Sequence, residues 1–349
     1  MTISSPVIVL GAGASHGSKV PGSRTPPLDG NFLSEAGRLF AGLHSRGKNR
    51  ARIENWQNFK KQLAKAGLRF DEVRTWRLEQ LSTFLEARGN LKGLQLYQGR
   101  PREHTAALDM LKQVVAHVLL ASGGQEVCPL HKMLIGSLKP RSVVSFNYDL
   151  IADQTMLSLG LLNWKAAAYR GAKCAMIPTN TGSQRAFAIP RSRMTESIPL
   201  IKLHGSIHWE EVGRAKGFRL SGVRLPSENE NRFDLVNVPE NPYLIPPIAA
   251  KIDIQEGPLR ERWYSAVDQL HKAKSWIIWG YSFPVTDTIS QVLFRTALAR
   301  NRKKKPVYVV NPDHSVATRV QEVCKKVSVK HFTSMEGFLH ELGILVPRQ

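Results

Sequence analysis

At 349 residues, with 42% apolar and only 22% charged side chains, the chain can bury one large core or two ordinary ones, which excludes a disordered polymer. No run approaches the roughly 20 uninterrupted apolar residues of a membrane span, and Met1 to Ser5 lacks the basic start and apolar stretch of a secretory signal, so a cytoplasmic protein without membrane contact is expected. The formal charge of +21 favours polyanionic partners, nucleic acid among them. Its basic residues are nevertheless dispersed through Arg46 to Arg102 and Arg300 to Lys305, without the interleaved aromatics of a base-stacking platform, a pattern that solvated helix faces explain equally well.

The first element is an apolar strand, Val7 to Leu10, that runs straight into Gly11-Ala12-Gly13-Ala14-Ser15. A buried strand that breaks on glycines and opens a helix presents backbone N–H groups and a positive dipole end to an anion, usually a pyrophosphate. A tight turn with no ligand would use the same residues. The Gly-x-Gly-x-x-Gly spacing is only approximated, since His16 stands at the third position and glycine follows at Gly17. Arg24 to Gly30 reads as a loop because Pro26 and Pro27 remove donors and fix the backbone. Helical spacing then dominates from Asn31 to about Ala121, through Phe32, Ala36, Leu39, Phe40 and Leu43, then Trp76, Leu81, Phe84 and Leu85, then Leu108, Leu111, Val114, Val115 and Val118. This predicts a helical insertion over residues 31–125.

Strand character returns at Ser142 to Phe146, with a helix from Tyr148 to about Leu159 and a third strand at Ile198 to Leu203. Residues 165–197 and 210–242 read as irregular insertions, the second as a loop or small β unit. Regular alternation resumes with a strand from Tyr243 to Pro247, a helix from Pro258 to Lys272, and a strand from Ser275 to Trp279. A helix from Thr286 to Ala299, a strand from Pro306 to Val310 and a helix from Ser315 to Lys325 follow; strand Val327 to Phe332 and helix Met335 to Leu342 close the series. The expected architecture is α/β, a Rossmann-like, mostly parallel sheet flanked by helices, with an inserted helical subdomain in one domain over 1–349.

Ligands of such sheets bind beyond the carboxyl ends of the strands. Those positions hold Gly11 to Ser15, Asn147-Tyr148-Asp149, His204-Gly205-Ser206, Gly280-Tyr281-Ser282 and Asn311-Pro312-Asp313, each small or polar after an apolar run. Cys128, Cys174 and Cys324 lie far apart without a Cys-x-x-Cys pair, so they read as buried thiols and no metal site is expected.

In this order the strand ends resemble the sirtuins, and more closely the sirtuin-like domains of bacterial antiviral defence proteins. The resemblance rests on Gly11 to Ser15, Asn147 with Asp149, Lys202-Leu203-His204-Gly205-Ser206, Ile245-Pro246-Pro247, Gly280-Tyr281-Ser282-Phe283-Pro284 and Asn311-Pro312-Asp313. Sirtuin deacylases carry a four-cysteine zinc ribbon between the His-Gly and Gly-x-Ser strands, and His204 to Gly280 contains no cysteine. The asparagine is preceded by Ser145-Phe146 where many sirtuins have threonine or glutamine. The resemblance therefore implies NAD as substrate and an NAD hydrolase of the defence type, an NAD-depleting effector releasing nicotinamide and ADP-ribose. A non-enzymatic NAD or ADP-ribose binding module and an NAD-dependent deacylase or ADP-ribosyltransferase are the alternatives.

Cleaving a nicotinamide glycosidic bond needs a held ribose, a positioned nucleophile and a proton acceptor. His204 suits the proton and Asn147, with a donor and an acceptor, suits positioning of water and ribose. Gly11, Ala12, Gly13 and Ser15 are expected at the pyrophosphate, Ser282 after Gly280 at a phosphate or ribose oxygen, and Asp149 at the nicotinamide end or fixing its own loop. Asp29 is expected over the nicotinamide ribose, and Asn311 and Asp313 near the adenosine ribose. Taken alone, His204 reads as a core histidine, and the series of strand ends favours catalysis; Asp149 serves equally as a helix cap, and Ser282 as a turn former. A chain that destroys NAD needs a switch, so a homo-oligomer or a separately encoded partner such as an ATPase is expected to supply it.

Overall fold

The structure is a computed structural model and describes residues 3–18, 23–43, 49–90, 101–162, 198–212, 217–220, 223–224, 234–235, 237–246, 259–299 and 304–345. Its centre is a six-stranded parallel sheet in the order β11-β10-β9-β1-β2-β3, formed by β1 (Pro6–Leu10), β2 (Ser142–Ser145), β3 (Leu200–Lys202), β9 (Ser275–Trp279), β10 (Lys305–Val310) and β11 (Val327–Phe332). The sequences Pro-Val-Ile-Val-Leu and Ser-Trp-Ile-Ile-Trp of β1 and β9 are buried along their whole length, as strands covered on both faces must be. From β1 the chain walks outward through β2 to β3, then returns to β9 on the other side of β1 and walks outward to β11. The strand order therefore reverses between β1 and β9, and the carboxyl ends of those two strands border the crevice where such sheets take ligands.

Between β1 and β2 lie α1 (Ala12–His16), α2 (Phe32–Ala41), α3 (Asn49–Lys65), α4 (Phe70–Val73), α5 (Leu78–Asn90), α6 (Pro101–Ala121) and α7 (Pro129–Leu138). Helices α2 to α6 build a second core beside the sheet, from Phe32, Phe40, Trp56, Phe59, Leu63, Leu81, Leu111 and Val114. Trp56, Phe59 and Leu63 recur at helical spacing on α3, and Trp56 stacks on Phe40 at 4.8 Å while meeting Phe70 edge-on at 4.7 Å. Truncating Trp56 would cost about 3–5 kcal/mol.

The sheet is flanked by α7, α8 (Ile151–Ser158), α9 (Arg260–Lys272), α10 (Thr288–Leu298), α11 (Ser315–Val323) and α12 (Met335–Glu341). Three of them begin on side-chain caps: Cys128 for α7, Asp287 for α10 and Ser334 for α12. Lys305, at the first residue of β10, donates to the Leu270 and His271 carbonyls and so closes the end of α9.

Short antiparallel strands complete the described fold. β5 (Gly217–Leu220), β4 (Gly205–Val212) and β8 (Pro242–Leu244) form one sheet, and β6 (Val223–Arg224) pairs with β7 (Asp234–Leu235). Strand β4 starts where the sequence suggests only a strand end. Gly205, at φ +89, turns the chain from β3 straight into it, and Ser206, His208 and Glu210 alternate along it with Ile207 and Trp209, both sets buried. Residues 165–197, and with them Cys174, lie outside the described residues.

Candidate functional site

A cavity of about 930 Å³ opens at the carboxyl edge of the sheet, roofed by the Pro26 to Asn31 loop and by α5 and α6. Ala12, Gly13, Ser15, Asp29, Asn147, Asp149, His204, Gly280, Ser282, Asn311 and Asp313 all line it; Gly11 sits behind that wall. The size matches the upper part of the range for small-molecule sites, about 300–1,000 Å³. The strand ends that are far apart in sequence thus meet around one space.

The glycine turn has a reason to be glycine before any ligand arrives. A methyl group on Gly11 would lie 2.4 Å from the Tyr281 Cα, and one on Gly13 would lie 2.8 Å from the Gly280 Cα. Gly280 itself adopts φ +66, and a Cβ there would lie 2.0 Å from the Ala14 nitrogen. The Gly13 N–H donates to the Gly280 carbonyl at 2.9 Å, the Gly11 N–H to the Trp279 carbonyl at 3.0 Å and the Ala14 N–H to the Gly11 carbonyl at 2.9 Å. Two of these backbone donors lock the β1 turn against β9 and its turn and the third closes the β1 turn on itself, so none of the three is left for an anion, and α1 is only five residues long.

Below the turn lies a directed chain of hydrogen bonds. Asn147 Nδ2 donates to the Gly11 carbonyl and to Ser15 Oγ, both at 2.9 Å. Ser15 Oγ donates its single proton to Asp149 Oδ2 at 2.6 Å, and Asp149 Oδ1 accepts from the Ile151 N–H at the start of α8. Because the Gly11 carbonyl can only accept, it fixes which end of the Asn147 amide faces it, and Oδ1 is the end left for a ligand or water. Ser15, 2% exposed, thus orients Asn147 where a phosphate contact is expected from sequence. Burial pushes the Asp149 carboxyl above its ordinary value, against the opposing pull of the Lys202 charge and the Ser15 hydroxyl.

His204 ends β3 beside this network and is 7% exposed. Phe146, Trp263 and Tyr148 surround it, with ring centroids 5.3, 6.1 and 6.3 Å away. Its backbone is pinned on both sides: Trp263 Nε1 donates to the Leu203 carbonyl at 3.1 Å and the Ile245 N–H to the His204 carbonyl at 2.9 Å. Phe146 stacks on Tyr281 at 4.3 Å, and the Tyr281 hydroxyl donates to Asp287, the cap of α10. The aromatic cluster ties the ends of β2, β3 and β9 together.

The remaining candidates stand at the rim. Asp29 accepts from the Glu79 N–H at 2.9 Å and from Arg77 Nε at 2.6 Å, so it caps α5 from a distant loop. Asn311 Oδ1 accepts from the Asp313 N–H, while Asp313 holds Ser315 and Arg319; these bonds drop its carboxyl to about 2. Ser282 is exposed and its carbonyl accepts from Arg319. The structure adds Phe146, Tyr148, Arg77, Thr333 and Ser334 to the lining. Thr333 and Ser334 follow the last strand, at the same kind of position as the other candidates; Phe146 ends the Ser142 to Phe146 strand and Tyr148 stands between the two polar residues of its strand end, so neither is marked by its chemistry. Among the described residues no group of three or more His, Cys, Asp or Glu side chains is placed to hold a metal ion.

No family model and no curated protein matches the chain. Among solved structures it is similar to a Sir2 homologue–NAD complex, with 11% identity over 97% of this chain and 86% of that one and a TM-score of 0.43. A mutant Sir2 homologue in complex with 2′-O-acetyl ADP-ribose is 13% identical over 96% of this chain and 88% of that one, with a TM-score of 0.41. A third, Sir2 with an inhibitor, 2′-O-acetyl-ADP-ribose and a deacetylated peptide, is 14% identical over 63% of this chain and 74% of that one, with a TM-score of 0.35. Scores of this size leave the functional reading to rest on the chain's own residues.

Proposed function

We propose that the chain is an NAD hydrolase that splits the nicotinamide glycosidic bond with water, giving nicotinamide, ADP-ribose and a proton. The observation that carries this reading is the pair at adjacent strand ends on one wall of the cavity: Asn147, whose amide hydrogens are taken by the Gly11 carbonyl and Ser15 so that Oδ1 is the end left for a ligand, and His204, held among aromatic rings. Oδ1 accepts one hydrogen of the attacking water and so aims its lone pair; His204 takes the proton released as the new C–O bond forms. Asp149 holds Asn147 through Ser15, and Gly13, Gly280 and Ser282 line the stretch of the cavity along the β1/β9 crevice where the pyrophosphate would lie. Asn311 and Asp313 then lie toward the adenosine end. The motif series resembling the sirtuin-like defence proteins supports the role of an NAD-depleting effector switched by self-assembly or by a partner, and the +21 charge suits an anionic one.

The test is incubation of the whole protein with NAD while nicotinamide and ADP-ribose are followed, alone and with candidate activating partners. Wild type is expected to release both in equal amounts, and Asn147→Ala and His204→Ala to lose about 100-fold or more in rate while still binding NAD. NAD binding by wild type without nicotinamide release under any of these conditions would establish a binding module instead. Nicotinamide release that requires an acylated peptide would establish a deacylase.

A further inference from the structure

We infer that Lys202 is the positioning residue of the Asn147 turn, its buried ammonium holding the Tyr148–Asp149 backbone in place and keeping the Asp149 carboxylate an acceptor for Ser15. The inference deepens the hydrolase reading and uses it only for the kinetic half of its test.

Lys202 closes β3 with 2% of its surface exposed. Its Nζ donates to the Asp149 carbonyl at 2.5 Å and to Asp153 Oδ2 at 2.9 Å, and reaches the Tyr148 carbonyl at 3.5 Å. A buried lysine–aspartate pair contributes little by itself, because two well-packed apolar residues usually do as well. An apolar pair cannot bind two successive carbonyls, and those carbonyls belong to the residues directly after Asn147. Ser206 Oγ and the Ile207 N–H also donate to the Tyr148 carbonyl, so the turn is gripped from β3 and β4 together.

The charge matters as much as the bonds. The groups facing the Asp149 carboxyl are Lys202 from β3, Asp153 from α8, Ser15 from α1 and the Cys128 thiol at the start of α7. Asp153 repels a second anion and burial pushes the Cys128 thiol up to about 11, so it stays neutral; Lys202 is the one cation of the set. While Asp149 is ionised, the one proton of Ser15 points at it and the Ser15 oxygen is free to accept from Asn147. Protonation of Asp149 lets that proton turn toward Asn147, and the amide would have to present oxygen to Ser15 and lose its bond to the Gly11 carbonyl. Loss of the positive charge therefore brings misorientation of Asn147 at a higher pH.

Selective carbon-13 labelling of aspartate carboxyls in the full chain reads this directly, the Asp149 signal being the one lost in Asp149→Asn. Lys202→Met is expected to raise the Asp149 midpoint by about one pH unit or more, and Lys202→Arg to leave it near wild type. Should Lys202→Met fold poorly, Lys202→Gln, which keeps a donor for the Tyr148 and Asp149 carbonyls and leaves Asp153 in place but carries no charge, is measured instead. In steady-state nicotinamide release, the acid limb of kcat should move up with the carboxyl midpoint while KM for NAD changes little. An unchanged midpoint in either folded variant overturns the inference. If wild type released no nicotinamide, the hydrolase reading would fail while the carbon-13 midpoint still decided the role of Lys202.

Discussion

Ser15 shows most clearly what the structure did to a residue-level expectation. A serine after a glycine turn reads as a phosphate contact, yet its hydroxyl is bonded on one side to Asp149 and on the other to Asn147. Ser15→Ala leaves the Asn147 amide and the Asp149 carboxylate short of a partner, which costs about 1–3 kcal/mol for a buried group. If the chain hydrolyses NAD as proposed, the variant should lower kcat for nicotinamide release more than it raises KM, because in that reading the lost bond orients the nucleophile and does not bind the dinucleotide. A rise in KM alone, with kcat intact, would return Ser15 to the phosphate. Asn147 and His204 stand out in the sequence as polar residues directly after apolar strands, and both line the cavity; Lys202 enters only as part of the Lys202-to-Ser206 motif, without a role, since a lysine at a strand end ordinarily reads as solvated.

At the scale of elements, the parallel strands and their helices were readable from buried β-branched and aromatic runs, and the observed β9 and β11 span the residues that the sequence marks. Ends of helices differ by a residue or two where caps decide, as at Asp287 before α10. Strand β4 carries the polar/apolar alternation of a strand in Ser206-Ile207-His208-Trp209-Glu210, but it follows His204-Gly205 so directly that the segment reads only as the end of β3. The contact between the β1 and β9 turns was likewise invisible, although both glycine motifs were seen: nothing in either motif says that it packs on the other. Gly280→Ala tests that contact. Left-handed strain of about 1–2 kcal/mol and overpacking of about 1–3 kcal/mol both apply, so chemical denaturation should show a loss of at least about 2 kcal/mol. Arg77→Ala tests a different joint, the tie between the Asp29 loop and α5. That pair is partly exposed and contributes about 0–1 kcal/mol, so Tm should barely change. KM for NAD should rise, because the loop loses one of the bonds that hold it over the cavity; an unchanged KM would leave Asp29 as a cap of α5 and nothing more.

At the scale of the whole molecule, buried histidines on both cores set the response to acid. His117, between α3 and α6, is lowered to about 4 chiefly by burial, and His131, packed 4.2 Å from Trp279, is lowered to about 3 by burial alone; His208 is also held well below its ordinary value. Each keeps its neutral form in the folded chain but takes a proton near pH 6.5 once unfolded, so below pH 6.5 the unfolded state binds more protons and stability rises with pH through that window. Asp149 acts in the opposite direction, because its raised value lets the folded state hold a proton that the unfolded carboxyl has already released above about 3.8. Three histidines against one carboxyl decide the sign: stability should fall on acidification from pH 6.5 toward 4. Urea midpoints at pH 7 and pH 5 measure it, with His117→Met and His131→Phe combined as the comparison. Neither ring Nδ1 has a hydrogen-bond partner among the described residues, so the apolar replacements remove a buried polar atom along with the titrating group. The double variant should lose clearly less stability between the two pH values than wild type does. An identical loss would move the acid sensitivity away from the cores and onto the +21 surface charge, whose self-repulsion grows as carboxylates are neutralised and which, unlike the histidines, would be relieved by added salt.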